Sequence, residues 1–265
     1  MNSITIITGD QLRHNYFVNQ ISSEFNVQAT FSEIKPFGPT LIRTNKESSK
    51  YQLMENYFNQ FRVVEKKYFG KHRQLINTRQ QIIKRNAINL EENIRLLEET
   101  KPDLILCFGS GIIKEDIIDL FPGKIINLHL GLSPHYRGSG TNIWPIINEE
   151  PEYVGATIHY LDKGVDTGQI IAQARPTLSK NDNHHDLGCK AIISGTEKMR
   201  SVINSFFNKT IKSYEQETTT GKQYFRKDFT PETIQLLEEK ISKKVISRSI
   251  ERLEREGDPV TLIGI

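Results

Sequence analysis

Ile125-Ile126-Asn127-Leu128-His129-Leu130-Gly131-Leu132-Ser133-Pro134-His135-Tyr136-Arg137-Gly138 begins as a strand and ends as a loop. Side chains two apart along a strand share a face, so Ile126 and Leu128 take one face while Asn127 and His129 take the other. An amide and an imidazole then project together near the carboxyl end of a strand, where open parallel sheets gather their ligands. Such a pair is costly to bury unless something satisfies it. Either the loop at Ser133-Pro134 is tied down by it, or a reacting group meets it. The preceding run, Asp103-Leu104-Ile105-Leu106-Cys107-Phe108, is apolar in the manner of a strand buried on both faces, and it stops at Gly109. A short helical piece from Lys114 to Leu120 and the break Pro122-Gly123 join the two runs. Strand, helix and strand in quick succession predict an α/β fold, a Rossmann-like and mostly parallel sheet flanked by helices.

Outward from that centre, the β-branched run Ile4-Thr5-Ile6-Ile7-Thr8 feeds a helix between Gln11 and Phe25. Thr30 to Lys84 loses its regular pattern around Pro36, Gly38 and Pro39 and reads as an insertion or lid. Leu90 to Thr100 is helical in pattern. Gly155 to Leu161 and Gly168 to Gln173 are strand-length segments expected to pair as a hairpin-like extension of the sheet. His184 to Phe207 is helical, and Thr230-Pro231-Glu232 opens a further helix running to about Glu256. The predicted organisation is a principal domain over 1–209, with an insertion at about 30–84, and a small helical C-terminal extension over 210–265.

Composition removes several classes. Among 265 residues, 37% are hydrophobic and 25% charged, which excludes fibrous and disordered chains. With 35 basic against 32 acidic residues the net charge is only +3, too weak a field to demand nucleic acid or anionic lipid as a partner. Eight Lys or Arg and one Glu between Phe61 and Arg85 read as a solvated face. Cys107 and Cys189 form neither a disulfide framework nor a zinc pair, and His184-His185 with Cys189 match no metal spacing. No leader and no membrane-length apolar run is found, so a soluble, cytoplasmic protein without metal is expected. Gly109-x-Gly111 and the Gly9-Asp10 turn lack the third glycine of a dinucleotide fingerprint. A second polar element, Asp162-Lys163-Gly164-Val165-Asp166-Thr167-Gly168, holds two carboxylates. One of them placed beside an imidazole fixes its tautomer and raises its proton affinity. Asp166 is the better candidate, since Asp162 serves equally as a turn former.

Taken together, Asn127-x-His129, Pro134-x-x-Arg137-Gly138 and His159-x6-Asp166-x-Gly168 resemble the catalytic core of the folate-dependent formyltransferases, the family of glycinamide ribonucleotide transformylase and methionyl-tRNA formyltransferase. The resemblance is best between about Asp103 and Gln173. It implies 10-formyltetrahydrofolate as co-substrate, no metal, and Asn127, His129 and Asp166 as the catalytic set. The chemistry suits those residues: an amine attacks the formyl carbon through a tetrahedral intermediate, so the site needs N–H donors for an oxyanion and a group that moves a proton. The family's pteridine pocket falls on Phe108, Gly109, Ser110, Gly111, Ile112 and Ile113, facing Leu161, Asp162, Gly164 and Val165. The acceptor departs from the best-known members. Asp10-Gln11-Leu12-Arg13-His14 lacks the glycine-rich phosphate cradle of the ribonucleotide enzymes, and the weak net charge and short tail speak against tRNA. Gly138 to Trp144 is similar to the loop-helix junction of sugar N-formyltransferases. The implied acceptor is therefore a small-molecule amine on a nucleotide-linked sugar, with Arg13, His14, Ser139, Asn142 and Trp144 as its contacts; a lone tryptophan is otherwise a core residue. The ribonucleotide and tRNA acceptors, a hydrolase that gives the formyl group to water, and a non-catalytic folate or nucleotide binder are the alternatives. A homodimer is left open.

Overall fold

In a computed structural model, which describes residues 2–35, 48–217 and 219–264, seven strands form one sheet in the order β3-β2-β1-β4-β5-β7-β8. These are β1 (Ile4–Gly9), β2 (Val27–Glu33), β3 (Arg79–Ile83), β4 (Leu104–Phe108), β5 (Ile125–Leu130), β7 (Ala156–Tyr160) and β8 (Ile170–Ala174), while β6 (Tyr136–Gly138) pairs outside the sheet with β9 (Lys222–Tyr224). From β3 to β5 every pairing is parallel. β7 and β8 add an antiparallel extension, the hairpin-like pair expected from sequence.

Alternation along the strands assigns the two faces. Ile4, Ile6, Leu104, Leu106, Phe108, Ile126, Leu128 and Ile158 point to the face covered by α1 (Leu12–Ser22), α2 (Ser49–Phe69) and α6 (His184–Phe207). Ile7, Phe31, Ile105, Cys107 and Ile125 point the other way, to α3 (Glu91–Glu99) and α4 (Glu115–Leu120). A third apolar cluster joins Tyr136, α5 (Trp144–Ile147), α7 (Pro231–Ser242) and α8 (Val245–Glu256) to Leu187 and Ala191 of α6. The outer edge of β8 is covered from the C-terminal side: Tyr214 exchanges backbone hydrogen bonds with Ile170, and Gln173 N–H donates to the Ile263 carbonyl. No helix among the described residues is long and apolar enough to cross a membrane.

Two expectations need correction. The stretch 30–84 is not a body apart, because Thr30 to Glu33 complete β2 and Arg79 to Ile83 form β3. β3 is an edge strand, and an edge facing water carries polar residues without penalty, which hides it from a search for apolar alternation. Its polar neighbours are satisfied across the pair: Thr30 Oγ1 lies 3.0 Å from Thr78 Oγ1, and Gln80 Nε2 donates to Ser32 Oγ at 3.0 Å. Residues 36–47, where the lid was read, lie outside the described residues. The helix expected from Thr230 to Glu256 is two helices, broken where Lys244 takes φ 55°. The break turns α8 toward the segment after α5, where Arg252 pairs with buried Glu152, while Lys240 of α7 pairs with Glu149 at 2.6 Å.

Candidate active site

Asn127 and His129 stand on the face of β5 opposite Ile126 and Leu128. β7 runs antiparallel beside them with His159 directly opposite Asn127, which brings a second imidazole to the same face. The loop after β7 returns Asp166 over this group. Asp166 Oδ2 lies 3.3 Å from His129 Nδ1 and accepts from the Gly138 N–H at 3.1 Å; Oδ1 lies 3.5 Å from His159 Nε2. Asn127 Nδ2 is 3.1 Å from His159 Nε2. Amide, imidazole and carboxylate therefore meet at one place. Asp166 holds φ 53°, a left-handed conformation in which Asp and Asn are enriched.

Hydrogen placement follows from the partners. His129 Nε2 faces the Tyr136 carbonyl at 3.1 Å, which only accepts, so that nitrogen carries a hydrogen. Nδ1 faces a carboxylate, which also only accepts. Both contacts are complete only in the imidazolium form, yet burial holds the His129 pKa below its ordinary value, with the Asp166 charge pulling it upward and His159 pulling it down. The neutral ring thus presents Nδ1 as a place for one proton, next to an anion. Burial pushes the Asp166 carboxyl up, but His129, His159 and the Gly138 N–H together hold it down at about 2. It is ionised at neutral pH. His159 Nδ1 donates to the Tyr160 carbonyl at 2.8 Å, leaving Nε2 to accept from Asn127. One of the two Asn127 amide hydrogens is used in that bond.

His159 is the member that sequence reasoning did not place in the site, although His159-x6-Asp166 had marked it. Two more missed residues hold the loop after β4. Gly111 N–H donates to Glu33 Oε2 at 2.6 Å, and Lys35 Nζ donates to the carbonyls of Gly109 and Ser110. A Cβ on Gly111 would lie 3.0 Å and 3.2 Å from the two Glu33 oxygens and would strike Asn86 Oδ1, so the loop is fitted closely against β2. Burial brings the Lys35 pKa down to about 8. The residues expected to form a ring pocket do not share one environment. Ile112 is 75% exposed and Val165 50% exposed, whereas Ile113 and Leu161 pack against the cluster under α4. Phe108 lies on the opposite face, in contact with Phe17 and His14, because its parity follows Leu104 and Leu106. Asp162 is a turn former: it accepts from Gly164 N–H at 3.1 Å and from Thr167 Oγ1 at 2.9 Å.

The expected acceptor contacts do not gather. Arg13 is ion-paired with buried Glu65 at 2.6 Å and lies over the Phe61 ring. His14 is buried; its Nδ1 accepts the Gln11 N–H, and a Cβ on Gly9 or Gly109 would strike its ring. It caps α1 instead of meeting a phosphate. Asn142 Oδ1 accepts from Gly155 N–H at 3.0 Å. Trp144 is buried, donates Nε1–H to the Ser139 carbonyl at 3.0 Å and stacks on Tyr224 at 4.4 Å. Ser139 is exposed. Among the described residues no group of three or more His, Cys, Asp or Glu side chains is placed to hold a metal ion, and His184 and His185 pack against Tyr57.

The chain belongs to the formyl transferase family, whose sequence profile matches residues 18–203, well over half its length. Among curated relatives, a methionyl-tRNA formyltransferase of Desulforamulus reducens is 36% identical over 124 residues, 46% of this chain and 39% of the relative. The chain spans about two fifths of the length of the curated relatives it matches. Phosphoribosylglycinamide formyltransferase from Anaplasma phagocytophilum shares the fold with a TM-score of 0.56 at 16% identity, over 84% of this chain and 97% of that one. So does an N-formyltransferase from Helicobacter canadensis, solved with folinic acid and dTDP-3-aminofucose, with a TM-score of 0.53 at 20% identity, over 87% of this chain and 73% of that one.

Proposed function

We propose that this protein transfers a formyl group from 10-formyltetrahydrofolate to a primary amine, and that the amine belongs to a nucleotide-linked amino sugar. The convergence of Asn127 and His129 on β5, His159 on β7 and Asp166 in the loop after β7 carries the first part. Family membership agrees with it. The folate, when bound, supplies the formyl carbon. The chain offers it the backbone of Gly109 to Gly111, pinned by Glu33 and Lys35, and the exposed apolar side chains of Ile112 and Val165, a combination that suits a flat ring with polar edges.

Each side chain then has a task. The Asn127 amide hydrogen not given to His159 donates to the formyl oxygen as negative charge develops there, a contribution of about 10²–10³ in rate for a single such donor. The amine must lose a proton as it attacks; His129 Nδ1, with the Asp166 anion beside it, receives that proton and returns it to the folate nitrogen as the bond from that nitrogen to the formyl carbon breaks, releasing tetrahydrofolate. Asp166 stays ionised throughout and stabilises the imidazolium that forms. His159 holds the Asn127 amide at a fixed angle. Because the attacking amine must be neutral, turnover falls toward acid pH.

The amino-sugar acceptor is supported by the likeness to a sugar enzyme over 87% of this chain. A tRNA acceptor is the second reading, favoured by the 36% identity to a methionyl-tRNA enzyme. The test is release of tetrahydrofolate in the presence of UDP- and dTDP-linked amino sugars, glycinamide ribonucleotide, methionyl-tRNA or no acceptor. Release with an amino sugar alone is expected. Release with methionyl-tRNA alone overturns the acceptor, and release at one rate in every arm overturns transfer in favour of hydrolysis.

A further inference from the structure

Both backbone groups that meet the His129–Asp166 pair come from one short strand. β6 supplies the Tyr136 carbonyl facing His129 Nε2 and the Gly138 N–H facing Asp166 Oδ2, each at 3.1 Å. A three-residue strand outside the sheet has little stiffness of its own. Its β-partner is β9, from a segment more than fifty residues beyond Asp166, in parallel register with Tyr136 opposite Lys222 and Gly138 opposite Tyr224. Lys222 N–H donates to the His135 carbonyl at 2.9 Å and Ser139 N–H to the Tyr224 carbonyl at 2.8 Å. Gly138 has φ 95°, and a Cβ there would strike the Tyr224 carbonyl, so β9 approaches as closely as glycine alone allows.

The Tyr224 side chain continues the clamp. Its ring lies nearly parallel to Trp144, 4.4 Å between centroids and 9° between planes, and to Tyr136, 6.0 Å and 5°. Asn148 Nδ2 donates to the Tyr224 hydroxyl at 3.1 Å and to the Tyr136 hydroxyl at 3.0 Å, and the Tyr136 hydroxyl donates to Glu150 at 2.5 Å. Trp144 Nε1–H fixes the Ser139 carbonyl. One ring thus ties both ends of the segment 136–144 that passes the site.

We propose that Tyr224 is a positioning residue: through its stack and its backbone it holds β6 so that the Tyr136 carbonyl and the Gly138 N–H meet His129 and Asp166. This rests on the reading of those two side chains as the reacting pair. Tyr224→Ala, Tyr224→Phe and Ile241→Ala test it, the last weakening α7 in the same third cluster away from β6. Two readouts are taken: the downfield imidazole Nε2–H resonance of His129 in water, protected while it is bonded to the Tyr136 carbonyl, and steady-state kinetics. Tyr224→Ala is expected to lose that resonance to solvent exchange and to lower kcat about 10–100-fold with KM values changed no more than about threefold. Tyr224→Phe keeps stack and backbone and restores both. Ile241→Ala lowers Tm while resonance and kcat stay. Should the alanine variant not fold, Tyr224→Leu, with bulk but no planar stack, is expected to show the same losses in smaller measure. A protected resonance and unchanged kcat in Tyr224→Ala overturn the proposal, as does an equal loss of kcat in Ile241→Ala. Loss of the resonance in an enzyme that formylates no amine sustains the positioning and sinks the reaction instead.

Discussion

Replacing Asp166 with Asn removes a charge and little else. The amide is isosteric, Asn tolerates the φ of 53° as well as Asp does, and its oxygen still accepts the Gly138 N–H. What disappears is an anion facing two imidazoles. The carboxyl is held at about 2 against an ordinary 3.8, and its side chain is only 15% exposed, so solvent screening is slight. At 1.36 kcal/mol for each pH unit, that difference is at most about 2 kcal/mol of native stability, since the His129 charge that contributes most to it is absent from the neutral ring. The folded value lies below the unfolded one, so this stabilisation is fully present above pH 4 and fades as pH falls from about 4 to about 2. For a chain of this size the loss corresponds to at most roughly 5 °C in Tm. Activity suffers more, because the proton received at His129 Nδ1 has lost the charge that favours it; kcat is expected to fall by about 10²–10⁴. Calorimetry at pH 7 and tetrahydrofolate release give both numbers on one preparation. An Asn variant that turns over within about threefold of wild type, a difference too small to mark loss of a proton-transfer partner, refutes the reasoning.

Other parts of the site make separate predictions. His159→Ala frees the Asn127 amide and should lower kcat by about tenfold or more at nearly constant KM; combined with Asn127→Ala it should cost nothing further, since the two act as one unit, and full additivity in that cycle counts against the pairing. Gly111→Ala drives a methyl into the Glu33 carboxylate and Asn86; KM for the folate donor is expected to rise roughly tenfold, the scale of one hydrogen bond, with kcat little changed. Arg13→Ala leaves Glu65 buried without its cation and should cost about 3 kcal/mol in denaturant unfolding, whereas the acceptor KM holds steady. A stable Arg13→Ala protein with a weakened acceptor would restore Arg13 as a phosphate contact.

What the chain reveals without coordinates depends on range. The period-two alternation of Ile126-Asn127-Leu128-His129 fixes faces locally, and β5 keeps it: the apolar pair enters the α6 side and the polar pair stays opposite. The same local logic, not applied to Phe108, would have placed that ring with Leu104 and Leu106 in the core. His159 became part of the site through antiparallel register with Asn127, a cross-strand fact that spacing along the chain does not encode. Arg13 and His14 at a helix start look alike in sequence; Glu65, fifty-two residues away, and the Gln11 N–H decide that one anchors α2 and the other caps α1. β3 was hidden by the polar Arg79, Gln80 and Gln81 that an edge strand carries. β9 was equally hidden, because three residues pairing with a distant loop leave no periodic trace.

Transfer of a labelled formyl carbon tests the central claim most directly. Incubated with 10-formyltetrahydrofolate labelled at that carbon and an amino-sugar nucleotide, the wild-type protein is predicted to place the label on the sugar nitrogen, and His129→Gln to do so at least about a hundredfold more slowly. Label recovered as formate at the same rate with or without the amine, or a His129→Gln variant that keeps pace with the wild type, would contradict it.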